Sequence, residues 1–146
     1  MSGGTVEMLY RSTSSVEVKN ITDKYPEAIE DFDANEWLAD YENLALFNDA
    51  GDLAMFSFQK EGVYTGHYFF LSRGRQAVKA AKELLEFFWE TAENAQVLVG
   101  LTPLEKLGAR WMNKQLKFTS HGVVQTVTGP CELVILTKKE WEINNG

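Results

Sequence analysis

The chain has 146 residues, of which 45% are apolar, 24% charged and 12% aromatic, enough for one buried core and unlike a disordered or low-complexity segment. Its net charge of −7 argues against non-specific nucleic-acid binding, since a phosphate backbone repels an acidic surface, and no apolar run approaches the roughly 20 residues of a membrane span. A single cysteine, Cys131, and two distant histidines, His67 and His121, leave neither a disulfide nor a metal-ligand cluster to propose, so the expectation is one cytoplasmic, metal-free domain over 1–146.

Val6, Met8 and Tyr10 alternate with polar neighbours and predict a short first strand. The acidic stretch Ser12 to Asp40 predicts one or two helices, with SSVE offering an N-cap and an acid three residues later. A break is expected near Pro26, because the residue before proline avoids the helical region, and Trp37 and Leu38 are expected to pin the second part to the core. Leu44 to Asn48 and Leu53 to Gln59 flank NDAGD, whose Asn, Asp and Gly suit a hairpin turn. After Glu61 and Gly62, the aromatic and branched run Val63 to Leu71 predicts the third of three antiparallel strands.

Gln76 to Ala95 is the clearest helix, with Ala77, Ala80, Ala81, Leu84, Leu85, Phe88 and Ala92 on one face. Val97 to Leu101 is too short for a helix and predicts a buried strand. Thr102 and Pro103 fit the cap and first turn of a further helix, with Leu104, Leu107, Trp111, Met112 and Leu116 as its apolar side. Phe118 to Val127 and Cys131 to Thr137 complete the order β, α(α), β, β, β, α, β, α, β, β. The predicted class is α/β (α+β), a mixed sheet with helices on both faces.

Charge is distributed unevenly. Residues 1–62 hold 13 acids and 4 bases, whereas 63–146 hold 8 acids and 10 bases. Arg73, Arg75, Lys79 and Lys82 crowd the start of the long helix, and Glu83, Glu86, Glu90 and Glu93 its end. That order opposes the helix dipole, which favours acids at the N-terminus, and Lys79 before Glu83 is the weaker orientation for a pair four apart. An anion at the helix start would reconcile dipole, backbone donors and basic side chains, with Gly74 allowing close backbone approach. The alternative is a solvated basic turn that offsets the acidic half.

The element order and the position of LSRGRQAVKAAK resemble the GNAT N-acetyltransferases, in which this loop holds the pyrophosphate of acetyl-CoA. The family pattern is Gln or Arg, two residues, Gly, one residue, then Gly or Ala. Here Ala77 fits its last place, with Ser72 in the Gln/Arg place and Arg75 in the first Gly place. Counting back from Phe118, Ala109 falls on the family's helix alanine, Met112 on its leucine and Asn113 on the tyrosine that protonates the departing thiolate, while Lys106 replaces an asparagine and Lys117 a glycine. In proportions and in its C-terminal half the chain is also similar to small GNAT-like proteins of tailed bacteriophages, some of which are virion components.

The resemblance implies a mostly antiparallel GNAT-like central sheet and acetyl-CoA as acyl donor. It places the pyrophosphate on Arg73, Gly74, Arg75, Gln76 and Ala77, and the pantetheine arm along Leu98 to Leu101. A primary amine would attack the thioester directly, and the acidic half would steer a cationic acceptor such as a lysine or polyamine. Asparagine is no general acid, so proton transfer falls to candidates such as His67 and Tyr68, with Tyr64 and Glu61 nearby in sequence. The alternative to this enzyme is a catalytically silent GNAT-fold phage protein that binds protein partners, assembles with itself or joins a virion, in the host cytoplasm or the particle. Stacking of nucleic acid on Tyr64, Tyr68, Phe69 and Phe70 is set aside because alternation divides them between faces. Phe87, Phe88 and Trp89 cannot share one narrow helix face, and Cys131 is expected to be a small core residue.

Overall fold

The computed structural model describes residues 8–24 and 32–145. Among these residues seven strands form one mixed sheet in the order β1-β2-β3-β4-β5-β7-β6. The strands are β1 (Leu9–Ser12), β2 (Leu44–Asn48), β3 (Leu53–Lys60), β4 (Val63–Phe69), β5 (Val97–Pro103), β6 (Thr119–Thr126) and β7 (Gly129–Thr137). The helices are α1 (Ser15–Thr22), α2 (Ala34–Ala39), α3 (Gly74–Thr91), α4 (Leu107–Gln115) and α5 (Lys138–Asn145). β1 with β2, β2 with β3, β5 with β7 and β6 with β7 are antiparallel, and β4 with β5 is parallel. That parallel pair needs a crossover connection, and α3 lies between its strands in the chain.

Contacts group the chain into two compact units, Met1–Phe56 with Tyr68–Phe88, and Ser57–His67 with Trp89–Gly146. In the first, Val18, Ala45, Phe47, Leu53, Met55 and Phe69 form a buried cluster against which Ile21, Phe32, Trp37 and Leu38 pack. On α3, Ala77, Ala80, Ala81, Leu84, Leu85 and Phe88 are buried, and the Phe88 ring stacks on Phe56 with centroids 4.1 Å apart. Ser14 caps α1 by accepting from the Glu17 N–H at 3.2 Å. Glu17 does not reach back as a capping box would; its carboxylate accepts from the Tyr10 hydroxyl at 2.8 Å. Val6 and the expected break at Pro26 lie outside the described residues.

In the second unit, Leu98, Leu116, Val134, Leu136 and Trp141 are buried. The expected cap at Thr102 and helix start at Pro103 do not occur: β5 stays paired with β7 as far as Pro103 opposite Cys131, which delays α4 to Leu107. The buried side of α4 is therefore Asn113 and Leu116, while Leu107 and Trp111 are 70% and 43% exposed. Cys131 is buried, as expected. Among the described residues no helix is long and apolar enough to cross a membrane, and no group of acids, histidines and cysteines is arranged to hold a metal.

Candidate functional site

In the first unit, the chain leaves β4 at Phe69 and enters α3 at Gly74 through four residues. Gly74 has φ +59°, a left-handed conformation natural to glycine. The first helical bond runs from Ala77 N–H to Arg73 C=O, at 3.4 Å. The N–H groups of Gly74, Arg75 and Gln76 thus have no partner among the described residues, as expected for a first helical turn. Arg73, Gly74, Arg75 and Gln76 are exposed together, and Ala77 turns into the core at 6% exposure.

Arg73 is committed to the loop: its guanidinium donates to the Phe70 and Ser72 carbonyls at 2.7 and 3.2 Å. A shallow hollow of about 200 Å³ lined by Ala50, Ser72, Gln76, Lys79 and Ala80 opens beside the helix start. The Tyr68 hydroxyl is buried and has no hydrogen-bond partner among the described residues, and burial pushes its pKa well above the ordinary phenol range.

In the second unit, the parallel ladder pairs Val63 with Val97, Tyr64 with Leu98 and Thr65 with Val99. Both strands continue past that register. Leu98 is fully buried and Leu101 is 51% exposed, so of these two predicted site residues only Leu101 offers a side chain to solvent. His67 is exposed along β4, yet surrounding protein displaces enough water to hold its pKa below the ordinary histidine value. On α4, the buried Asn113 amide donates to the Thr102 hydroxyl of β5 at 2.9 Å, and Arg110 pairs with Glu132 of β7 at 3.3 Å.

No protein-family model matches the chain, and no curated protein matches it. Solved structures do match it in fold. An aminoglycoside acetyltransferase, AAC(6')-Ib, in complex with coenzyme A and kanamycin superposes with TM-score 0.67 at 16% identity over 96% of this chain and 99% of that one. The spermidine/spermine N-acetyltransferase SpeG of Vibrio cholerae gives TM-score 0.72 at 10% identity, over 96% and 99%. YncA of Salmonella typhimurium, with acetyl-CoA, gives 0.66 at 14%, over 91% and 94%. The chain has the GNAT acetyltransferase fold.

Against the GNAT pattern, two of the three departures around α4, Lys117 and Asn113, have different structural meanings. Lys117 stands where the resemblance expects glycine, and its backbone is in the left-handed region that favours glycine, with φ +68°. Phe118 N–H donates to Asn113 C=O at 3.0 Å and Lys117 N–H to Lys114 C=O at 3.1 Å, a Schellman ending that survives without its preferred residue. Asn113, in the place of the family's tyrosine, has become a tie between α4 and β5. One group beside the helix start escaped the sequence reading: Asp52, which the NDAGD pattern marks only as a turn residue, is 0% exposed and bonded to the loop before α3. An acid within a turn carries no sequence signal of its burial.

Proposed function

We propose that the protein transfers an acetyl group from acetyl-CoA to a primary amine. The observation that carries this reading is the trio of unpartnered N–H groups on Gly74, Arg75 and Gln76, exposed at the start of the long helix beside Arg75. Backbone donors and the positive end of the dipole suit a pyrophosphate there. Gly74 fits the group: nothing lies within 4 Å of where its Cβ would stand, so an anion has free approach. Arg73 supports the same role by bracing the loop carbonyls. Leu101 and the β5 backbone near it are the candidates to accompany the pantetheine arm.

Acetyl-CoA, when bound, supplies an acyl group activated as a thioester. His67, held neutral near pH 7 by its lowered pKa, is the candidate to take the proton from an incoming ammonium. The Tyr68 hydroxyl, without a partner among the described residues, is the candidate to give one to the leaving sulfur; burial keeps it protonated at neutral pH and makes it a weaker acid than a free phenol. The acceptor is expected to be cationic, drawn by the acidic balance of residues 1–62. That field is long-range, and it sets encounter rate more than selectivity.

A second reading, a protein-binding GNAT-fold module of the kind tailed phages carry, is favoured by one observation: the Asn113 amide is occupied by Thr102 and does not ionise. Calorimetry with acetyl-CoA separates the two. Binding that weakens and loses salt sensitivity when Arg73 and Arg75 are both replaced by alanine supports acetyl transfer. No heat of binding by the wild type favours the module.

A further inference from the structure

We propose that Asp52 is a positioning residue for the anion site, an internal carboxylate that fixes the loop before α3 so that the N–H groups of Gly74, Arg75 and Gln76 face outward. Asp52 lies in the β2–β3 turn, 0% exposed. Its Oδ1 accepts from the Leu71 N–H at 2.7 Å and the Ser72 N–H at 2.9 Å. Its Oδ2 accepts from the Ser72 hydroxyl at 2.7 Å and the Asn48 side-chain amide at 3.0 Å. Among the described residues no basic side chain pairs with it, so four neutral donors carry the charge. Asn48, 1% exposed, is fixed in turn by accepting from Ala50 N–H and Asp52 N–H at 3.0 and 2.9 Å.

The turn lies close against the loop as well as being bonded to it. Gly51 has φ +86°, strained for any other residue, and a Cβ there would stand 3.1 Å from Leu71 Cδ1, so the tip of that side chain would have to give way. Burying a carboxylate is costly unless its donors are all in place, and here three of the four come from a segment nineteen and twenty residues downstream. Two successive loop N–H groups point inward at Asp52. Those that follow, on Gly74, Arg75 and Gln76, are left without internal partners. The lowered pKa of Asp52, against the desolvation that would raise it, agrees with bonds strong enough to keep it ionised.

The consequence for ligand binding rests on the acetyl-CoA reading above; the hold on the loop does not. Asp52→Asn sets an NH₂ against the Asn48 amide, donor to donor. Acetyl-CoA affinity should fall about tenfold, the scale of one lost charge-assisted bond, and amide exchange at Leu71 and Ser72 should accelerate while α3 stays protected. The exchanged pair Asn48→Asp with Asp52→Asn again sets a donor against an acceptor between the two side chains, while the Ser72 hydroxyl turns from donating to accepting, and should recover both readouts to within about threefold. A folded Asp52→Asn protein with unchanged exchange at Leu71 and Ser72 overturns the proposal, as does a folded exchanged pair that does not recover. If Asp52→Asn fails to fold, a folded exchanged pair with wild-type exchange supports it, and an unfolded one overturns it. A wild type that binds no acetyl-CoA overturns the acetyl-transfer reading alone, and the exchange measurements still decide Asp52.

Discussion

Asn113 on α4 donates its side-chain amide to the hydroxyl of Thr102 on β5 across 2.9 Å, and both residues are buried. Removing one partner of a buried pair strands the other, so Asn113→Ala is expected to cost about 1–2 kcal/mol in urea unfolding. Because the amide does not titrate, the pH profile of any acetyl transfer should keep its shape. A changed acidic or basic limb would mean that Asn113 reaches the reacting atoms.

Lys117 carries a left-handed backbone at the end of α4. A side chain there is strained, and glycine is not. Lys117→Gly should therefore stabilise the protein by about 0.5–1 kcal/mol, the relief of strain outweighing the added freedom of the unfolded chain. Thermal unfolding reads this directly, and a lower Tm would contradict it.

What the sequence made legible follows from periodicity. The seven apolar positions assigned to the long helix, from Ala77 to Ala92, are all buried, and the hairpin around NDAGD joins β2 to β3 with Phe47 opposite Leu53. α4 was harder to read, because Leu107 and Trp111 share helical spacing with each other but not with the buried pair Asn113 and Leu116. α5 had a signal that went unread: Thr137 and Glu140 form a capping box, with Thr137 N–H donating to the carboxylate at 3.1 Å and Glu140 N–H to the hydroxyl at 3.1 Å. In the candidate site, exposed Arg73 to Gln76 were visible as a charge anomaly. Asp52 was not, since its role depends on a tertiary contact that no local pattern encodes.

Tyr68 poses stability against function. Its hydroxyl is buried without a partner among the described residues, a cost of about 1 kcal/mol or more that phenylalanine would not incur. Tyr68→Phe is expected to raise Tm. If the hydroxyl protonates the departing sulfur, the same variant loses about 10²-fold or more in turnover while keeping its acetyl-CoA affinity. Higher stability with undiminished turnover would leave the hydroxyl without a chemical role.

His67 makes the sharpest pH prediction. Its folded pKa lies below the ordinary histidine value of 6.5 because neighbouring protein displaces water that would solvate the imidazolium. Between the folded and unfolded values the unfolded chain binds more protons, so stability rises with pH through that window and falls as the medium is acidified below about 6.5. Asp52 acts in the same direction at lower pH: its carboxylate contribution is present above its unfolded value of 3.8 and is lost as pH falls through its lowered folded value. Urea unfolding from pH 7 to pH 5 should show a decline in stability that His67→Gln flattens, since glutamine does not titrate. In the same variant, the acidic limb of the acetylation rate should disappear together with most of the activity if His67 is the base. A stability profile that declines equally in His67→Gln would assign the proton uptake to another group.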